Sequence, residues 1–260
     1  MSINLWQGVV IFAAAFVAGM MNSVAGGGTL LTFPALIWIG MDPKAANVTS
    51  TVALWPGSLG GMLGFRRELR DSRRWMLLLT PSSIAGGLIG ALLLLRTPSE
   101  TFASIVPFLI LFATVLFAAG EPVSKLLRRK NPEADENPEV SRSWWITAIL
   151  IQLFSAIYGG YFGAGNGIVM LAVLGLMGLN DIHQMNGLKN YFAMCINLIA
   201  AVYFILCGPV KWGAAIVMIA GAIAGGYGGA GIARKLGRNF ARRAVIAIGL
   251  AMAVSLLFRR

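Results

Sequence analysis

Residues 5–39 read LWQGVVIFAAAFVAGMMNSVAGGGTLLTFPALIWI and contain no charged side chain. The apolar run 5–24 has the roughly 20 residues that a helix needs to cross a bilayer core of about 30 Å. Three glycines at 26–28 interrupt the run, and the following stretch from Thr29 to Ile39 extends only about 16 Å as a helix. We predict a first transmembrane helix at 5–24 that forms a broken or re-entrant helical hairpin with the shorter helix.

The composition extends this interpretation to the whole chain. Of its 260 residues, 57% are hydrophobic and 12% are charged, and the mean hydropathy is +0.76. Soluble domains carry about 25% charged residues. The apolar residues also form long blocks, such as 102–119 and 244–258. We therefore predict an all-α fold, a polytopic bundle of helices embedded in a lipid bilayer.

The net charge of +11 comes mainly from short polar segments between the apolar runs. Fifteen of the 21 lysines and arginines lie near residues 66–74, 125–142 and 234–243. Basic residues that cluster between membrane spans mark the cytoplasmic side of the protein. This pattern accounts for the positive charge without a nucleic-acid partner, and we expect none.

One polar linker divides the chain. Residues 121–143 contain three prolines, five acidic residues and five basic residues. Such a segment cannot lie in lipid, where its charges would be very costly. We predict a first transmembrane repeat at 1–120, a cytoplasmic linker at 121–143 and a second transmembrane repeat at 144–260.

The two halves share sequence features at one constant displacement along the chain. The sequence IAGGLIGA at 84–91 recurs 139 residues later as IAGGYGGA at 223–230. The same displacement of 139 residues, here called the repeat offset, places the polar run 47–51 on 186–190. The basic loop of each half corresponds to a weakly charged loop in the other half. Since basic loops stay in the cytoplasm, the halves have opposite orientations. We predict two inverted-topology repeats, which are typical of transporters.

The second half opens in the same way as the first. An apolar helix at 144–162 is followed by GAGNG at 163–167 and by a short apolar run at 168–177. We predict that each repeat opens with a broken or re-entrant hairpin and continues with three fuller helices. Non-helical backbone at membrane depth must line protein or a wet cavity, because lipid cannot satisfy its amides. The two breaks are therefore expected to meet near the middle of the membrane.

Two opposed helix starts of this kind predict a site for a small oxyanion. Each start presents free backbone N–H groups and partial positive charge, and glycine lets a ligand approach the backbone closely. Helix N-termini bind anions for these reasons. The predicted substrate-binding residues are Asn22, Gly26, Gly27, Gly28 and Thr29 in the first break, Gly165, Asn166 and Gly167 in the second, and Asn47, Thr49, Ser50, Lys189 and Asn190 on the helices that follow.

Lys189 could supply a full positive charge to this site. It lies roughly 10 Å along a helix that begins near Ile182, at a depth where a lysine costs about 2.5–3.5 kcal/mol on insertion scales. An intramembrane charge is by default a functional hypothesis. The alternative is that Lys189 extends to the lipid headgroups or binds a structural carbonyl group.

Other candidate groups have simpler interpretations. Asp181 and His183 could carry a coupled proton, although capping is the more common role of an aspartate at a helix start, and Asp42 is expected to cap a helix as well. Cys195 and Cys207 lack the paired spacing of a metal site. A single histidine and the absence of HExxH and GxSxG motifs argue against an intramembrane enzyme. We expect no metal and no cofactor, and both a secondary anion transporter and an anion channel fit the pattern.

Four motifs together carry a family resemblance. They are NSVAGGG at 22–28, PGSLGG at 56–61, YGGYFGAG at 158–165 and NGLKN at 186–190. In this combination the chain resembles the TauE/SafE family of membrane permeases, also called the sulfite exporter family, from about residue 8 to residue 258. The second break departs from the pattern, because it reads AGNG at 164–167 where a longer glycine run would be closer to the first half.

This resemblance implies a substrate class that spacing alone does not give. It implies export of sulfite or of a small organosulfonate such as sulfoacetate. It also implies a multi-pass protein of the bacterial inner membrane. The identity of the anion, the direction of transport and the coupling ion stay open at this point.

Overall fold

The computed structural model describes residues 4–24, 27–64, 69, 72–130, 142–177, 179, 181–236, 246–248 and 250–255. Within these ranges the chain is helical and forms no β-strand. Residues 246–248 and 250–255 are helical in addition to the longer elements. The longer helices are α1 (Leu5–Val24), α2 (Thr29–Trp38), α3 (Pro43–Gly64), α4 (Arg73–Arg96), α5 (Ser99–Lys130), α6 (Arg142–Tyr161), α7 (Asn166–Leu176), α8 (Ile182–Cys207) and α9 (Trp212–Leu236).

The described helices have the length and composition of a membrane protein. Three segments are long and apolar enough to cross a membrane, namely Leu5–Asn22, Arg73–Arg96 and His183–Cys207. Shorter apolar segments include Ser99–Val115 and Trp212–Tyr227. The prediction of an all-helical fold with several apolar helices is confirmed.

Large apolar side chains also cover the outside of the molecule. Leu77, Phe154 and Leu206 are each more than two-thirds exposed. Soluble monomers rarely expose large contiguous apolar patches. A surface with such side chains suits contact with lipid.

The interior contains two apolar clusters. The larger one includes Phe33 of α2, Phe102 of α5 and Phe204 of α8, all fully buried. The second includes Met170 of α7 and Phe192 of α8. Both short helices are therefore held by side chains of the longer helices around them.

The helix boundaries agree closely with the sequence pattern. Helix α1 has the predicted bounds, and α2 and α7 are short, with 10 and 11 residues. Helix α7 begins two residues before its predicted start because Gly165, in the left-handed conformation, serves as its N-cap. Helix α5 continues to Lys130 and so reaches into the predicted linker. Residues 131–141 lie outside the described residues, and the cytoplasmic position of 121–143 stays a prediction.

Two aspartates cap helices as predicted. The Asp42 carboxylate accepts a hydrogen bond from the N–H of Ala45 at 3.1 Å, at the start of α3. The Asp181 carboxylate accepts one from the N–H of His183 at 2.8 Å, at the start of α8. Both interactions satisfy amides that have no partner within the helix.

Helix contacts recur under the repeat offset. That offset relates α1 to α6, α3 to α8 and α4 to α9. The most extensive contacts are α1 with α9 and α4 with α6, which are equivalent pairs. The contacts of α3 with α9 and of α4 with α8 are a second equivalent pair. Each half therefore packs its first helix against the fourth helix of the other half.

Opposite ends of the equivalent helices α3 and α8 lie next to each other. The N–H of Lys211, shortly after α8 ends, donates to Oγ1 of Thr49 near the start of α3 at 3.0 Å. A Cβ atom on Gly208 would lie 3.1 Å from Cγ1 of Val48. The carboxyl end of α8 is thus next to the amino end of α3.

Glycines allow the close approach of α4 and α6. A Cβ atom on Gly86 would lie 2.6 Å from Cβ of Ala156 and 2.7 Å from the carbonyl oxygen of Leu153. On the equivalent pair of helices, a Cβ on Gly225 would collide with the carbonyl oxygen of Phe16. Small residues at helix contacts are typical of membrane proteins, where close packing drives association.

We expect Gly86→Ala to destabilise the folded protein by about 1–3 kcal/mol, because the added methyl group overpacks a contact made partly of backbone. The matched control is Gly8→Ala, since a Cβ atom there meets nothing within 4 Å. Thermal unfolding of the detergent-purified variants measures both effects. Equal melting temperatures for the two variants would show that the α4–α6 contact has room for a side chain.

Candidate functional site

The first break is held by a side chain of the helix that precedes it. The Gly28 N–H donates to Oδ1 of Asn22 at 2.8 Å. Gly27 has a φ of 86°, which L side chains rarely adopt. A Cβ atom on Gly28 would lie 2.8 Å from both the Ala18 carbonyl oxygen and the Asn22 amide nitrogen. The glycines are therefore needed for the chain to turn tightly from α1 into α2.

The second break is held by a different set of contacts. Gly163 and Gly165 both have a φ of 74°. The Tyr158 hydroxyl donates to the carbonyl oxygen of Ala164 at 2.6 Å. The Ser155 hydroxyl donates to Oδ1 of Asn166 at 3.0 Å, which fixes the first residue of α7. Polar side chains of α6 thus satisfy the break that follows it.

Both breaks open onto one cavity, here called the interhelical cavity. Its volume is about 60 Å³. A cavity needs only about 10–15 Å³ by a comparable measure to hold a water molecule, so this one accommodates a small polyatomic ion. The lining residues are Asn22, Gly27, Thr29, Thr51, Leu54, Ser58, Phe162, Gly163, Asn166, Gly167, Lys189, Asn190, Ala193 and Asn197. The first residues of α2 and α7 are both among them.

Helices α3 and α8 contribute one matching stripe each to the cavity wall. Thr51, Leu54 and Ser58 lie on α3 at spacings of three and four residues, which places them on one helix face. The repeat offset carries these positions onto Asn190, Ala193 and Asn197 of α8, and these residues also line the cavity. Equivalent faces of the two helices therefore form its walls.

The charge of the lining is positive. Lys189 is 1% exposed and is the only charged side chain among the described residues that line the cavity. The adjacent Asn190 is 6% exposed, and its amide nitrogen has no hydrogen-bond partner in the described part of the chain. A buried amide without a partner is unfavourable. The Asn190 amide thus leaves a buried donor unused beside the cavity.

Comparison with known proteins identifies the family of this chain. The family model described as sulfite exporter TauE/SafE matches residues 11–256 of the chain. The chain belongs to the TauE/SafE family. The resemblance found in the sequence motifs is therefore confirmed, and the protein is a membrane transporter of that family.

The relatives of this TauE/SafE protein cover nearly its whole length. A "Probable membrane transporter protein" from Haemophilus influenzae is 29% identical over 96% of this chain and 94% of its own. The "Probable membrane transporter protein ORF9" from Sinorhizobium sp is 27% identical over 95% of this chain and 91% of its own. The "Probable membrane transporter protein YfcA" from Escherichia coli K12 is 28% identical over 96% and 89%. No solved structure matches this chain.

The structure brings together about half of the residues predicted for the TauE/SafE site. Lys189 and residues of both breaks share the cavity. Gly26 lies outside the described residues, and Gly28 and Gly165 are buried but are not part of the lining. Those that line it are Asn22, Gly27, Thr29, Asn166, Gly167, Lys189 and Asn190. Whether these residues bind substrate stays a prediction.

The predicted residues on α3 have other contacts. Asn47 donates from its amide nitrogen to the Tyr161 carbonyl oxygen at 2.9 Å. Thr49 accepts the hydrogen bond of Lys211 described above. The Ser50 hydroxyl is 2.7 Å from that of Thr32 on α2. These side chains join α3 to its neighbours instead of lining the cavity.

Sequence reasoning missed a further set of lining residues. Polar members of this set are Thr51, Ser58 and Asn197. A stripe of small or polar residues at helical spacing, which recurs in the second half at the repeat offset, is the signal that could have identified them. In the described part of the chain, no group of three or more His, Cys, Asp and Glu side chains could hold a metal ion.

We expect Gly163→Val to destabilise the TauE/SafE protein more than Gly163→Asn. A β-branched residue in the left-handed conformation costs more than the roughly 1–2 kcal/mol of an average residue, whereas asparagine adopts it more readily. Both side chains meet the Gly159 carbonyl oxygen, which lies 2.9 Å from a Cβ atom at this position. Melting temperatures in detergent give the comparison. An equal decrease in melting temperature for both variants would mean that the contact with the Gly159 carbonyl oxygen, and not the φ angle, requires glycine.

Proposed function

We propose that this TauE/SafE protein is a secondary exporter of a small sulfur oxyanion, either sulfite or an organosulfonate. The anion binds in the interhelical cavity, between the starts of α2 and α7. Membership of the sulfite exporter family supports the sulfur oxyanion. The composition of the cavity supports anion binding independently of that name.

The observation that carries this proposal is the combination of groups around one cavity. Two helix starts, Lys189 and the unpartnered amide of Asn190 surround it, and no aspartate or glutamate is among its described lining residues. Helix starts carry partial positive charge. Such a lining attracts anions and disfavours cations.

The same groups address the main energetic obstacle to transport. An anion that leaves water loses strong hydration, which is very costly unless protein groups replace it. Amide donors in the cavity replace hydrogen bonds to water, and the Lys189 ammonium compensates charge. Glycines at 27, 163 and 167 let the anion approach the backbone.

The arrangement of the helices supports transport by two inverted repeats. The end of α8 lies next to the start of the equivalent helix α3, and this contact supports repeats related by a two-fold axis in the membrane plane. Substrate sites of such transporters lie near the bilayer midplane, at the repeat interface. We propose that helix movements around the cavity open it to one side of a bacterial inner membrane at a time, with residues 121–143 in the cytoplasm.

Flux into proteoliposomes tests this function and separates it from an anion channel. We expect sulfite or sulfonate flux that saturates with concentration, because each transport cycle occupies one binding site. A coupled exporter also responds to an imposed proton gradient at zero membrane potential. Flux that rises linearly with concentration and follows only the anion's electrochemical gradient would indicate a channel of the same architecture.

We expect Lys189→Met to weaken anion binding at least about tenfold, which corresponds to about 1.4 kcal/mol, because the substitution removes the charge and keeps the apolar stem. The matched control is Lys44→Met. The Lys44 ammonium donates to the carbonyl oxygens of Leu95 and Thr97 at 2.7 Å each, outside the cavity. The control should lower the melting temperature and leave anion affinity unchanged. An unchanged anion affinity in Lys189→Met would show that Lys189 does not contribute to anion binding.

A further inference from the structure

The charge of the interhelical cavity is confined to one helix. Lys189 lies on α8, and its equivalent on α3 under the repeat offset is Ser50. Ser50 contacts Thr32 and does not line the cavity. Among the described lining residues, the two repeats therefore supply similar walls but only one full positive charge.

The other polar groups of the walls are neutral. Asn197 lies eight residues beyond Lys189 on the same helix, a rise of about 12 Å. Ser58, its equivalent on α3, is also uncharged. Between the polar positions of the two stripes lie Leu54 and Ala193, which are apolar. A ligand in this cavity thus meets one charged region, with neutral and apolar walls elsewhere.

The helix starts add less positive charge than their number suggests. The Gly28 N–H already donates to Asn22, so one of the amides at the start of α2 is occupied. At the start of α7, the Asn166 N–H donates to the carbonyl oxygen of Gly163 at 3.3 Å and the Ile168 N–H donates to that of Gly165 at 3.0 Å. Lys189 therefore remains the main counter-charge for a bound anion.

We propose that the site selects singly charged sulfur oxyanions, meaning hydrogen sulfite or a sulfonate whose other end is uncharged, over doubly charged ones. This inference rests on the proposed function and specifies the substrate within its class. A second negative charge would be buried among neutral groups without a cation, which is strongly unfavourable. Sulfate, fully ionised sulfite and sulfoacetate carry that second charge. Within the class, a neutral-ended sulfonate is therefore preferred to sulfoacetate.

Two probes of equal chain length isolate the effect of charge. 2-Hydroxyethanesulfonate and sulfoacetate both carry a sulfonate on a two-carbon chain, but the second end is a neutral hydroxyl in one and a carboxylate in the other. Methanesulfonate and sulfate form a second pair of tetrahedral ions with one and two charges. Calorimetric titration of the detergent-purified protein, supported by thermal shift, gives the four dissociation constants.

We expect the singly charged member of each pair to bind at least about tenfold more tightly. Equal affinities, or tighter binding of the dianions, would overturn the charge selectivity and leave the proposed anion transport intact. Binding of none of these anions, nor of sulfite, would overturn the proposed function and this inference with it.

A charge-gain variant tests the cause of the selectivity. Asn197→Lys places a second cation in the cavity, and Asn197→Gln is the matched neutral control. We expect Asn197→Lys to raise the affinity for sulfoacetate, relative to that for 2-hydroxyethanesulfonate, by at least about tenfold. The control should leave the ratio of the two affinities unchanged. An unchanged ratio in a folded Asn197→Lys protein would overturn the inference. If that variant does not fold, the affinities of the parent protein for the four anions still test the inference.

Discussion

The requirement to satisfy backbone polar groups where two helices are interrupted governs this structure. Lipid offers no hydrogen bonds, so an interruption can exist only where protein or water provides them. Asn22 provides one for the Gly28 amide, and Tyr158 provides one for the Ala164 carbonyl group. Backbone groups at the second break also satisfy one another, since the Gly163 N–H donates to the Tyr158 carbonyl oxygen and the Asn166 N–H donates to that of Gly163. Residues of both breaks line the interhelical cavity, so the interruptions and the cavity lie together.

The two halves share a framework but differ in chemistry. Helices α3 and α8, and likewise α4 and α9, begin at equivalent positions, and the halves form equivalent contacts. The residues at the cavity differ, since Gly27 corresponds to Asn166 and Ser50 to Lys189. A symmetric framework thus produces an asymmetric site. Packing constrains the small residues at helix contacts on both sides, whereas the few positions near the cavity are free to serve the ligand.

Hydropathy and glycine positions made much of the fold predictable. The bounds of α1, both breaks and the short helices follow from apolar run length and from glycine, which are local properties of the chain. The sequence did not reveal in the same way which residues of α3 line the cavity. One residue along a helix changes the direction of a side chain by about 100°. Thr51 therefore lines the cavity, whereas Ser50 contacts α2, and only packing against other helices sets this rotation.

The glycine contacts have a consequence for motion within the membrane. Where Gly86 meets Leu153, and Gly225 meets Phe16, a glycine with no side chain lies against a backbone carbonyl group. Such dense contacts leave few rotamers to rearrange, and separating them would forfeit dispersion energy that lipid chains restore poorly. We therefore expect α1 with α9, and α4 with α6, to travel as stiff two-helix units. Helices that slide past one another during a conformational cycle would then do so at the less dense contacts beside α2 and α7.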